Sequence, residues 1–88
     1  MSSKFEFHFY VQYDSEDQAR IVFSSVMPEI QEQRFERSKA FIELKAQKIE
    51  ICVIAQDINA AKATVNSILR WISSITKALL TLSKQTFN

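Results

Sequence analysis

Residues 38–56 alternate between apolar and polar side chains twice in succession, and this constrains the fold more than any other stretch. Ala40, Ile42, Leu44 and Ala46 share one face of the run 38–46; Ile49, Ile51, Val53 and Ala55 share one face of the run 48–56. Two adjacent runs of period two specify a β-hairpin with one buried face. A two-residue connection at Gln47-Lys48 pairs Ala46 with Ile49, Leu44 with Ile51, Ile42 with Val53 and Ala40 with Ala55. The other face then pairs Lys45 with Glu50, Glu43 with Cys52 and Phe41 with Ile54. A slip of one residue would turn the apolar set to water, so the pattern is expected to fix the register. The connection lacks the Gly or Asn that two-residue hairpins favour, which leaves a slightly longer loop as the alternative.

The remaining elements fall into place around this hairpin. Residues 4–13 alternate as well: Phe5, Phe7, Phe9, Val11 and Tyr13 face one way, and Lys4, Glu6, His8, Tyr10 and Gln12 face the other. Ser15 with Gln18 three residues on fits a capping box. The helix it starts, 15–27, places Ala19, Val22, Phe23, Val26 and Met27 on one face. Pro28 is expected to end that helix, because the residue before a proline avoids the α region. A polar loop over 28–37 follows, with Ile30 or Phe35 as its anchor and Glu29, Glu32 and Glu36 bridged to Arg34 and Arg37. Asp57 caps a last helix over 58–82, in which Ile58, Ala61, Val65, Ile68, Ile72, Ile75, Leu79 and Leu82 recur at spacings of three and four. Residues 83–88 are read as a frayed tail. The expected fold is a single α+β domain of order β-α-β-β-α over residues 1–88. The third strand is apolar on both faces and belongs in the centre, giving a three-stranded antiparallel sheet of order 1-3-2 with both helices on one face.

Composition closes off several functions. The 88 residues contain no Gly, so neither a P-loop nor a dinucleotide fingerprint can be built. A formal net charge of +1 is far from the basic bias of a dedicated nucleic-acid binder. Cys52 is the only cysteine and His8 the only histidine. Neither a cysteine zinc site nor an internal disulfide is available, and pattern alone assigns no metal or cofactor. Cys52 is expected to be a buried, inert thiol. Ser24-Ser25 and Ser73-Ser74 have no base positioned by motif, so no catalytic residue is assigned. No apolar run reaches the roughly 18 residues of a membrane span, and charges at Lys4 and Glu6 interrupt any signal-peptide core, which points to a reducing, cytoplasmic setting and no membrane partner.

Two surfaces carry more apolar area than one small domain needs. The apolar arc of the last helix runs from Ala78 and Trp71 to Leu69 and Leu80, roughly 200° against the roughly 100° stripe of a simple surface helix. Packing on the sheet and on the neighbouring helix accounts for part of it. The far face of the sheet adds Phe41, Ile54, Tyr10 and Cys52 where a solvated face should be polar. Arg34, Arg37 and Lys39 before and in the second strand, with Lys62, Arg70 and Lys77 on the last helix, are either solvated charges or a contribution to RNA binding within a larger assembly.

The run Asp57 to Ile72, with Val65-Asn66-Ser67 and then Trp71, resembles the last helix of the small dimerising subunits of KEOPS complexes, the Pcc and cancer-testis antigen-like family. Arg37-Ser38 at the second strand and Asp17 to Val22 in the first helix look like that family too, so the resemblance spans nearly the whole chain. Gln47-Lys48 where the family's hairpin usually has a glycine, and Lys62 after Ala61 where it often has an arginine after leucine, are the departures. The resemblance implies a non-catalytic subunit of the complex that makes threonylcarbamoyladenosine in tRNA. Such a subunit binds the catalytic ATPase-fold subunit through its two helices, dimerises through its sheet with itself or a paralogue, and adds to tRNA binding. On that reading Ile21, Ser25, Leu69, Ser73, Thr76 and Leu80 form the helical partner surface. Phe41 and Ile54 form the dimer surface, and Arg37, Lys39, Lys62 and Arg70 are candidates for tRNA. The rivals are a stand-alone RNA-binding α/β module and a small enzyme with a site at a dimer interface around His8.

Overall fold

The structure, a computed structural model, describes residues 4–33 and 35–85, with side chains through Leu82. Arg34, one of the expected loop cations, lies outside the described residues, as do 86–88 of the expected tail. The element order is β1 (Phe5–Gln12), α1 (Glu16–Glu32), β2 (Ser38–Lys45), β3 (Lys48–Ala55) and α2 (Ile58–Gln85). The three strands form one antiparallel sheet of order β1-β3-β2, as the double-sided apolar character of β3 requires.

The core lies between the sheet and the two helices. Ile49, Ile51 and Val53 of β3, Val22 and Val26 of α1, and Ile68 and Ile72 of α2 are buried together. Phe9, Val11 and Tyr13 close the β1 side, and Ala40, Ile42 and Leu44 close the β2 side. Phe5 and Phe7 point the same way as Phe9, yet remain over a third exposed, because the helices leave this end of β1 uncovered.

The hairpin register differs from the sequence expectation by two residues. Lys45 pairs with Lys48, Leu44 with Ile49, Ile42 with Ile51 and Ala40 with Val53. An even shift keeps every side chain on its expected face, so alternation cannot distinguish the two registers. The turn decides instead. Ala46 and Gln47 form a two-residue connection in which Ala46 alone has positive φ, at 53°. A positive φ at the first central position belongs to the II′ turns that match strand twist and favour glycine there. Phe41 is consequently opposite Cys52, and Lys39 is opposite Ile54. Glu50, opposite Glu43, meets Lys45 along the diagonal at 3.2 Å.

α1 also departs from expectation: it runs through Pro28 to Glu32. A proline interior to a helix removes one backbone donor and crowds the carbonyl four residues back. Only one further turn follows it, and that turn places Ile30 against the core and closes with Gln33 N–H donating to Glu29 O at 3.0 Å. Glu29 and Glu32 are therefore helical rather than loop residues. At the start of α1, Ser15 Oγ accepts from Gln18 N–H, while the Gln18 side chain accepts from the Asp14 N–H, one residue before the cap. α2 extends through Gln85, past the expected end at 82. Its 28 residues span about 42 Å, against about 27 Å for an eight-residue strand, so its last turns project beyond the sheet. Among the described residues, no helix is long and apolar enough to cross a membrane.

Candidate functional site

The entry to β2 is clipped to α2 by two adjacent residues. Asp57 Oδ1 caps α2 by accepting from Ala60 N–H at 2.8 Å. Its other carboxylate oxygen meets Arg37 Nε at 3.4 Å. The next residue, Ser38, shares a hydroxyl hydrogen bond with buried Thr64. Gln56 N–H donates to Arg37 O at 2.9 Å and ties the same strand end to the connection before α2. Arg37-Ser38 and the start of the last helix, noted separately in the sequence, are thus two halves of one contact. Arg37, expected to bridge to loop glutamates or to meet tRNA, is held by Asp57.

On the helices, the residues chosen for a partner surface separate into two groups. Thr76 Oγ1 hydrogen-bonds Tyr13 Oη at 2.9 Å, which turns that flank of α2 toward the end of β1. Leu69, Ser73 and Leu80 lie within roughly 60° of Thr76 around the helix. Leu69 and Leu80 remain 42% and 48% exposed. On the other flank, Trp71 is half-buried against the core. Ile21, 48% exposed, and Ser25 sit on α1, which packs over β2 and β3. The Ser25 hydroxyl donates to the Ile21 carbonyl at 2.8 Å and is not a free donor. The helix layer therefore presents an apolar strip on α2 and a smaller patch on α1.

The outer sheet face is organised in rows across β1, β3 and β2: Glu6, Ile54 and Lys39; His8, Cys52 and Phe41; Tyr10, Glu50 and Glu43; Gln12, Lys48 and Lys45. Tyr10 is 60% and Phe41 54% exposed, and Ile54 is half-buried. An open concavity of about 680 Å³ runs over the two middle rows. Lys48 Nζ sits 4.9 Å from the Tyr10 ring centre, within cation–π range. The hydrogen bond from Lys45 holds the Glu50 carboxyl below its ordinary pKa, and the same bond, with the Glu43 charge, raises Lys45. Cys52 is half-buried on this outer face rather than in the core, and burial followed by the Glu6 charge pushes its thiol up. Of the cations proposed for tRNA, Lys39 lies on this face, whereas Lys62 and Arg70 are exposed on α2 in the opposite layer. They form no single basic surface.

A two-layer β-α-β-β-α sandwich with an apolar strip on its helices and Tyr10, Phe41, Cys52 and Ile54 among charged neighbours on its outer sheet face has the build of a small interaction domain, and the titratable side chains Glu6 and His8 meet at 2.7 Å on that same outer face. A family model described as "Transcription factor Pcc1" matches residues 6–79. The KEOPS complex subunit Pcc1 of Pyrococcus abyssi is 36% identical over 62 residues, covering 70% of this chain and 76% of that protein. The chain belongs to the Pcc1 family. A chain in the crystal structure of the binary Gon7-Pcc1 complex has the same fold, with a TM-score of 0.79 over 89% of this chain and 95% of that one at 17% identity.

Proposed function

We propose that this chain is a non-catalytic dimerisation and scaffold subunit of a KEOPS complex, the assembly that makes threonylcarbamoyladenosine in tRNA. The observation that carries the reading is the 36% identity to an archaeal KEOPS subunit over most of both chains. The exposed surfaces support a division of labour. The α2 strip of Leu69 and Leu80, extended by Ser73, Thr76 and the α1 patch of Ile21 and Ser25, receives helices of the catalytic ATPase-fold subunit. The outer sheet face, with Phe41 and Ile54, receives a dimer mate. That mate is a second copy or a paralogous small subunit, and the Gon7-Pcc1 crystal structure motivates testing for an unlike partner. Lys39, Lys62 and Arg70 lend charge to tRNA binding by the assembly, with Arg37 secondary because Asp57 already holds it. The cytoplasm, where tRNA is used, is the proposed location.

The test is affinity purification of the tagged full chain from its native cells, with every recovered protein identified. The expected result is recovery of the ATPase-fold subunit and its loss in a Leu69→Glu/Leu80→Glu variant. Cells lacking the chain should contain tRNA depleted in threonylcarbamoyladenosine. Recovery of no ATPase-fold subunit, together with unchanged tRNA, would overturn the reading.

A further inference from the structure

Linear spacing assigns no metal to the lone histidine and lone cysteine, but the sheet register brings them together. His8 on β1 is directly opposite Cys52 on β3. Glu6, two residues before His8, is on the same face of the strand. The Glu6 carboxylate, the His8 ring nitrogen and the Cys52 sulfur all lie within 4.8 Å of one another. This trio stands on the outer face, apart from the α2 strip.

From these positions we propose that Glu6, His8 and Cys52 form a site for one divalent transition-metal ion, suited to zinc, with an open fourth position. Ligand type supports it: thiolate, imidazole and carboxylate are the three donors zinc uses in proteins. Geometry supports it too. With zinc about 2.3 Å from sulfur and about 2.0–2.1 Å from nitrogen, a tetrahedral site separates the two donors by about 3.6 Å. Cys52 Sγ and His8 Nε2 are 3.8 Å apart. The Glu6 oxygen now sits 2.7 Å from His8 Nε2, in a hydrogen bond. Tetrahedral coordination needs about 3.3 Å there, so an entering ion breaks that hydrogen bond: the imidazole carries its proton on Nδ1, the Cys52 thiol releases its proton to solvent, and the exposed Glu6 carboxylate, whose oxygen is within 4.8 Å of the sulfur, swings onto the ion. In the single chain the Glu6 and His8 side chains are 57% and 65% exposed, which leaves an entry path before the proposed dimer mate is seated on this face, while Phe41 stands opposite Cys52.

The test is a titration of the tag-free, fully reduced chain with Co²⁺, followed by absorption, then displacement by Zn²⁺. The expected result is a thiolate-to-cobalt charge-transfer band that saturates at one ion per chain and is abolished by Zn²⁺. Cys52→Ser should remove the band, and His8→Ala and Glu6→Gln should each weaken binding by about tenfold or more. These residues lie outside the core, and circular dichroism checks that each variant keeps its fold. Absence of the band in the unmodified chain, or a band unchanged by His8→Ala, would overturn the proposal. So would saturation at half an equivalent, which would assign the ligands to two chains.

Discussion

The two faces of the sheet are built from the same strands and obey different rules. Toward the helices, β3 contributes Ile49, Ile51, Val53 and Ala55, all buried, each opposed by an apolar neighbour or by the Ser38 that clips to Thr64. Away from the helices, rows mix Ile54 with Lys39 and Glu6, and Phe41 with His8 and Cys52. The inner face is what one chain needs in order to fold. Half of the outer face is charged and a third of it is apolar or aromatic, a composition that neither a solvated sheet nor a second core calls for. Function on such a small domain is to be sought where the side chains are not explained by its own folding.

The sharpest way to break this comparison is to truncate neighbours on either side of it. Ile68→Ala on α2 should cost about 2–5 kcal/mol in urea unfolding, because the side chain is fully buried. Leu69→Ala, one residue on, should cost less than about 1 kcal/mol, since much of it is already in water. Equal losses would mean that the strip on α2 serves folding rather than a partner. Next in size is Phe41→Glu. Light scattering should show a dimer converted to a single-chain species, with unfolding of the dissociated chain changed by no more than about 0.5 kcal/mol. A single-chain mass for the unmodified protein would remove the dimer role from the outer face.

Smaller effects sharpen the account of how the layers are joined. Asp57→Ala removes both the cap of α2 and the partner of Arg37, and should destabilise the chain by about 1 kcal/mol. Ala46→Gly should stabilise it by about 0.5–1 kcal/mol, because a residue with a β-carbon is strained at positive φ. The smallest effect concerns pH. Glu50 is held below its ordinary pKa, so its contribution is present above that value and fades as pH falls through the depressed one. Lys45 is raised, so its share persists up the alkaline range and is lost only as pH climbs through the raised value. Both groups face solvent. Acid unfolding of Lys45→Met should therefore differ from that of the unmodified chain by a small, salt-sensitive shift.

Much of the fold was legible because faces are encoded by periodicity. Alternation placed Ile49, Ile51 and Val53 inside and Phe41 outside, and the three-four spacing picked Ile68 and Ile72 as core. The hairpin register was not legible, since shifts of two preserve every face; only backbone geometry at Ala46 and Gln47 distinguishes them. Pro28 misled because a local preference was weighed without the packing of Ile30 beyond it. The candidate surfaces were half legible. Exposed Leu69 and Leu80 followed from the excess apolar arc of the last helix and exposed Phe41 from the apolar residues on the far sheet face, whereas the meetings of Arg37 with Asp57 and of His8 with Cys52 depend on contacts distant in sequence. Asp57 was readable as a cap, but nothing local marks its second bond.

The projection of α2 beyond the sheet has a consequence for how association could be watched. Amides in the middle of the helix, near Ile68 and Ile72, are shielded by a packed layer and should exchange with deuterated solvent only when the whole chain opens. Those near Leu80 and Leu82 are flanked by water and should exchange through local opening of the helix end. A partner seated there would slow that exchange without altering the middle of the helix. The free end of α2 thus acts as a clock, and its rate reports whether the surface is covered.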